Sequence, residues 1–167
     1  MKPGNPGGSN HMADMLVQLL KLPPVEPLIT QLRADGIAIR RANSWETSRV
    51  TEFIRTNFGP GWADEVLPSL MSQPVSLFVA VAEGKLIGFA AYEATHKNFF
   101  GPTGVRAEER GRGIGLALLL SCLWGMRHMG YAYAIIGSAG PKSYYEKAVG
   151  ATLIPDSEPG IYADGLH

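Results

Sequence analysis

From Ile114 to Met126 the chain is apolar almost without relief, broken only by glycines and by Ser121. The run falls short of the roughly 18 residues that a bilayer-spanning helix needs. It is read instead as a buried helix, running from about Gly113 to Met129. At 167 residues and 18.0 kDa the chain has room for one domain with a sizeable core, and not comfortably for two.

The strongest signal around this helix is "SLFVAVAEGKLIGFAAYEA", where two apolar strands, Ser76 to Ala82 and Leu86 to Glu93, flank the turn residues Glu83, Gly84 and Lys85. The next segment, Asn98 to Val105, is extended but holds Gly101, Pro102 and Gly104, a composition that marks a bulge, a splay or a close approach by something else. Alternation predicts a strand over Ile37 to Arg41 and a buried strand over Tyr131 to Gly137. Ser44 is placed as the cap of a helix on which Trp45, Val50, Phe53 and Ile54 share a side, and residues Ala63 to Met71 read as another short helix. A helix from about Pro141 to Val149 and a strand pair around Thr152 to Ile154 and Ile161 to Tyr162 complete the chain. Upstream, the spacing of Met15, Leu16, Leu19, Leu20 and Leu22 predicts a helix over Ala13 to Leu22, ended by Pro23 and Pro24, and a second helix covers Glu26 to Ala34. These give an N-terminal helical extension over residues 12–35 and a main domain over 36–167. Residues 1–11, rich in Gly, Pro and Asn, read as a leader left by expression and show no signal-peptide pattern. A hairpin, a strand, a crossover helix and a further strand make an α/β (α+β) domain with a mixed sheet.

Fifteen Lys and Arg balance fifteen Asp and Glu, so the broad basic field that nucleic-acid binding requires is missing. Neither nucleic acid nor a membrane is expected as a partner. One cysteine, Cys122, allows no internal disulfide or zinc cluster, which fits a cytoplasmic setting, and no metal is expected. Placed inside the apolar helix, Cys122 reads as packing and not as a nucleophile.

Just ahead of that helix stands "ERGRGIG", with glycines at 111, 113 and 115 and arginines at 110 and 112. A helix N-terminus exposes amides that have no internal partner, and the macrodipole adds positive charge there. Glycines let an anion approach those amides, so phosphate or pyrophosphate is the natural occupant. Glu108 and Glu109 oppose this unless they turn outward or pair with the arginines. The G-x-G-x-G spacing fits neither a dinucleotide fingerprint nor a P-loop.

"VRAEERGRGIGLALL", Val105 to Leu119, resembles the acetyl-CoA-binding motif of the GCN5-related N-acetyltransferases (GNAT), with Arg110, Gly113 and Gly115 on its core positions. "SYYEKAVGA", residues 143–151, is similar to that family's second signature, with Tyr145 on the tyrosine and one extra residue before Gly150. The resemblance covers roughly Ile37 to Tyr162. It implies a mostly antiparallel twisted sheet with splayed central strands, flanked by helices. It implies that Arg110, Gly111, Arg112, Gly113, Ile114 and Gly115 receive the pyrophosphate of acetyl-CoA, the cosubstrate. The pantetheine arm would lie along Thr103, Gly104 and Val105, with the Val105 amide polarising the thioester carbonyl and Tyr145 serving the departing thiolate. Tyr144, about 100° around the helix, is read as packing.

Many members carry an asparagine where Ser138 stands here, and its hydroxyl is expected to hold a water or a pantetheine amide. For the base, Glu93, His96 or water remain open. By the same resemblance, "NFFGPTG" and "FGPGW" wall the acceptor pocket, where Phe58 and Trp62 either stack on substrate or belong to the core. The activity implied is transfer of an acetyl group to the primary amine of a small acceptor, by a monomer or homodimer. The alternatives are a non-catalytic acyl-CoA-binding sensor or scaffold, and an α/β interaction module that binds no ligand.

Overall fold

The computed structural model describes residues 12–166, and the expected leader at 1–11 lies outside the described residues. In chain order the elements are β1 (Met15–Gln18), α1 (Glu26–Ala34), β2 (Ile37–Arg41), α2 (Thr47–Phe58), α3 (Pro60–Glu65), α4 (Leu67–Leu70), β3 (Leu77–Ala82), β4 (Lys85–Tyr92), β5 (Phe99–Val105), α5 (Ile114–His128), β6 (Tyr133–Ile136), α6 (Lys142–Val149) and β7 (Thr152–Leu153). The strands form one sheet in the order β2-β3-β4-β5-β6-β1-β7. Only β5 and β6 run parallel, as expected for the two strands joined through helix α5. The remaining neighbours are antiparallel, so the expected mixed, mostly antiparallel sheet flanked by helices is what forms.

The sheet separates two cores. On one face α5 packs with α1, β1 and α6, through Leu118, Leu119, Met126, Leu32 and Met15, all at most 1% exposed. On the other face α2, α3 and α4 bury Val50, Ile54, Ala63 and Leu70 against Leu77, Val79 and Phe89. Ten of the fifteen residues of α5 are buried, which is why that helix tolerates no polar stripe. Its Gly125 leaves room for the Tyr92 ring, since a Cβ there would lie 2.8 Å from the Tyr92 hydroxyl. Arg41 donates to that hydroxyl at 2.6 Å and to the Val75 carbonyl at 2.7 Å.

Residues 13–22 depart from the expected helix. Met15 and Val17 are fully buried, while Leu16 is half-buried and Gln18 exposed, an alternation of period two that lets β1 pair with β6 on one side and β7 on the other. A clustered apolar run fits either period, and the two open strand edges decide between them. Of the expected helical extension over 12–35, α1 is the α-helix and Leu19–Lys21 a single 3-10 turn. Four smaller expectations also change. The Glu46 carboxylate accepts the Asn43 amide at 2.8 Å, so Asn43 and not Ser44 starts the turn before α2. Trp45 is 81% exposed and leaves the apolar side of that helix. Residues Gly160–Tyr162 form a 3-10 turn in place of a strand, and the helix expected over 63–71 is split into α3 and α4.

Candidate functional site

The site originates in a single irregularity of β5. Tyr92 stands opposite Phe100 and Ala90 opposite Thr103, so Gly101 and Pro102 together face Ala91. That is a β-bulge, and Gly101 takes it up with φ of 116°, a region that L side chains avoid. The bulge lets Phe100, Thr103 and Val105 share the α5 side of the sheet although they are not evenly spaced. It also ends the pairing with β6, which is confined to Phe99↔Ile135 and Phe100↔Ile136. Beyond Phe100 the two strands part, and the backbone of Thr103 to Val105 keeps hydrogen-bonding capacity on the open side.

A cleft of about 640 Å³ occupies the gap, running from Thr103, Gly104 and Val105 past Gly113 and Gly115 to Tyr145. Gly113 is the N-cap of α5 in the left-handed conformation, φ 84°. The first bond inside the helix runs from the Ala117 amide to the Gly113 carbonyl at 3.0 Å. The amides of Ile114, Gly115 and Leu116 therefore have no partner one turn back, and all three residues line the cleft. Partial positive charge from the helix dipole collects at the same point.

The acidic neighbours are neutralised. Glu108 pairs with Arg106, and Glu109 with Arg112 at 2.6 Å. Arg112 spends its charge on that pair and does not line the cleft, unlike Arg110. Arg110 donates to the Val105 carbonyl at 3.3 Å and has no carboxylate within ion-pair distance among the described residues. Arg110 is thus the cation of the loop that remains available to an anion.

Tyr144 and Tyr145 both line the cleft, their rings edge to face with centroids 5.1 Å apart. Tyr145 is 7% exposed, and burial, with a smaller contribution from Tyr144, pushes its hydroxyl up to about 12. It is therefore protonated at neutral pH. Burial raises the Tyr144 hydroxyl as well. Its oxygen lies 4.0 Å from where a Gly115 Cβ would stand, beside the first turn of α5.

Ser138 is not in this cleft. Its hydroxyl accepts the Met12 amide at 2.8 Å, its own amide donates to Asp14 at 2.8 Å, and it lines a second cavity of about 320 Å³. That cavity is also lined by Trp62, Glu65, Thr95 and Tyr162, and Phe100 lines both it and the cleft. Phe58 goes to the core, lying where a Gly104 Cβ would be, 2.5 Å from its ring. Trp62 stacks on Phe58, centroids 5.7 Å apart, and stays 38% exposed. Glu93 accepts the Asn98 amide, pairs with Lys97 at 3.7 Å, and lines a different cavity with Arg41, while His96 packs on Phe99. Neither reaches the cleft. Cys122 donates to the Ala90 carbonyl at 3.4 Å, and burial raises its thiol far above the ordinary range, which leaves it inert. Glu65 and Tyr162 carry no local sequence signal, because they meet only through the fold. Among the described residues no group of three metal-ligating side chains forms, and no helix is long and apolar enough to cross a membrane.

Residues 42–150 match the family described as Acetyltransferase (GNAT) family. None of the curated proteins matches the chain. Among solved structures, a GCN5-related glucosamine N-acetyltransferase region of a fungal multi-domain GH3 β-N-acetylglucosaminidase is 18% identical, with a TM-score of 0.69 over 88% of this chain and 20% of that one. A GCN5-related N-acetyltransferase from Sphaerobacter thermophilus is 23% identical, with a TM-score of 0.59 over 87% of this chain and 50% of that one. A GNAT family acetyltransferase from Brucella melitensis, in complex with acetyl-CoA, is 19% identical, with a TM-score of 0.52 over 71% of this chain and 86% of that one. The chain thus spans only a fifth and a half of the first two, and at these identities the likeness is one of fold.

Proposed function

The chain belongs to the GNAT acetyltransferase family, and from that premise we propose that it moves an acetyl group from acetyl-CoA directly to the primary amine of a small acceptor. The observation that carries this reading is the cleft where β5 and β6 part, lined both by the first amides of α5, which have no partner one turn back, and by a protonated tyrosine. A diphosphate suits the amides of Ile114, Gly115 and Leu116 together with the unpaired Arg110. An amide-bearing arm suits the open edge of Thr103 to Val105. Arg112, tied to Glu109, contributes to the shape of the loop and adds little charge.

In the reaction the amine nitrogen attacks the acetyl carbon, a C–N bond forms and the C–S bond breaks. The sulfur leaves as a thiolate, takes the proton of Tyr145, and the proton lost by the amine passes to water and restores the tyrosine. Holding both partners side by side removes much of the entropic barrier. The other reading, a binding domain without turnover, has one observation on its side, the distance of Glu93 and His96 from the cleft.

Acetyl-CoA titrated into the protein is expected to raise its melting temperature, and added amines are expected to release free thiol. Absence of any shift overturns the reading. A shift without amine-dependent thiol leaves the binding domain in its place.

A further inference from the structure

The second cavity meets the cleft from the far side of the bulge. Along β5, Gly101 and Pro102 line this cavity while Thr103 to Val105 line the cleft, and after β6 Gly137 and Ser138 line the cavity while Gly140 and Pro141 line the cleft. Phe100, the residue at which β5 and β6 part, lines both spaces. An acyl group carried along the open edge of β5 to that point meets whatever occupies the 320 Å³ cavity.

Glu65 is the one charged side chain among the described residues that line the cavity. Its Oε1 accepts the Thr95 hydroxyl at 2.5 Å. Its Oε2 has no hydrogen-bond partner, and no lysine, arginine or histidine comes within ion-pair distance, among the described residues. A half-buried carboxylate without a counter-charge is a liability that a bound cation relieves. Beside it, Trp62 offers an indole whose back is held by Phe58, a surface suited to a hydrocarbon or a cation. Tyr162 closes the cavity, and burial, with Glu65 and Asp14 adding to it, pushes its hydroxyl up to about 12, so it stays neutral. Asp14 stands behind the cavity wall, bonded to the Ser138 amide. The field in the cavity is negative from both carboxylates.

Resting on the acetyltransferase reading, we propose that this second cavity selects organic cations: Glu65 draws in a protonated amine whose carbon skeleton lies on Trp62, and amines that also carry a carboxylate or phosphate are rejected. When the ammonium gives one proton to water, Oε2 keeps accepting a remaining N–H and leaves the lone pair free for the acetyl carbon at Phe100.

The test compares 2-phenylethylamine with phenylalanine, which adds a carboxylate to the same skeleton, by calorimetry on the CoA-saturated protein and by initial rates at saturating acetyl-CoA. The amine is expected to bind about tenfold or more tighter than the amino acid. Glu65→Gln should weaken amine binding by about tenfold and raise its KM, leave the KM for acetyl-CoA unchanged, and bring amine and amino acid close to parity. Glu65→Asp should recover part of the loss, and melting curves verify that both variants are folded. Amine affinity within twofold of wild type in folded Glu65→Gln, no binding of the amine, or preference for phenylalanine overturns the proposal. If the protein fails to take up CoA, the acetyltransferase reading falls by itself, and the amine titration of the CoA-free protein still decides whether Glu65 selects cations.

Discussion

Replacing Gly104 by alanine probes the contact that sets the shape of the open strand. An added Cβ would lie 2.5 Å from Cζ, 2.6 Å from Cε1 and 3.0 Å from Cε2 of Phe58. Carbon atoms in ordinary contact stand about 3.5–4.0 Å apart, so the ring must retreat by roughly 1 Å. It has little room for this, with Trp62 at 5.7 Å, Phe89 at 5.6 Å and Phe53 at 6.1 Å between centroids. Overpacking of this kind costs ~1–3 kcal/mol. At ~2–4 °C per kcal/mol for a chain of this length, the melting temperature should fall by roughly 2–12 °C. Thermal and urea unfolding measure the loss, and Phe58→Leu supplies the control: with the ring gone, the alanine penalty should shrink below ~0.5 kcal/mol. A penalty of equal size in both backgrounds, or none in either, would refute the packing argument.

Gly113→Asp adds a negative charge at the start of α5 and a Cβ 3.1 Å from Leu28 Cδ1, at a φ of 84°; CoA affinity by calorimetry should drop about tenfold or more, and by less in Gly113→Ala. Tyr145→Phe should lower kcat by ~10–100-fold with CoA affinity unchanged. Because burial holds the Tyr145 hydroxyl at about 12, its donating form persists on the alkaline side, so kcat should not decline between about pH 8 and 10 through this group. The Arg40 guanidinium bonded to Glu46 holds its carboxyl at about 2, against an ordinary 4.5. The stability this contributes is complete above pH 4.5 and is lost as pH falls toward about 2, and Glu46→Gln should flatten acid unfolding over that window. Ser121 Oγ is buried without a partner among the described residues, so Ser121→Ala should leave the unfolding free energy unchanged or raise it by up to ~1 kcal/mol.

The hairpin of β3 and β4, the apolar helix α5 and the glycine cradle were legible because each rests on neighbours in the chain: alternation, periodicity, and amides that a helix start leaves unpaired. The glycine and proline content of β5 announced an irregular strand, and the bulge at Gly101 and Pro102 is its form. Position in space was harder to read. Residues 13–22 satisfy helical spacing, and only the remote edges of β6 and β7 reveal them as a strand. Which arginine stays unpaired depends on where Glu108 and Glu109 turn. Ser138 stands at the expected place in sequence and yet faces the other cavity, because Asp14 and Met12 hold it there. Glu65 lies in a short helix with no motif around it, and its meaning arises from Thr95 and Tyr162 across the fold.

The position of β1 has a consequence for how the molecule is put together. Asp14 and Ser138, bonded in the finished protein, are 124 residues apart, and β7 joins the sheet only through β1. During synthesis Met15 and Val17 emerge long before the strands that cover them, so this apolar segment waits unsheltered while the hairpin and α5 assemble. Pairing across so wide a span raises the contact order, which slows folding, and a nascent chain that meets a second copy first has this uncovered strand to offer.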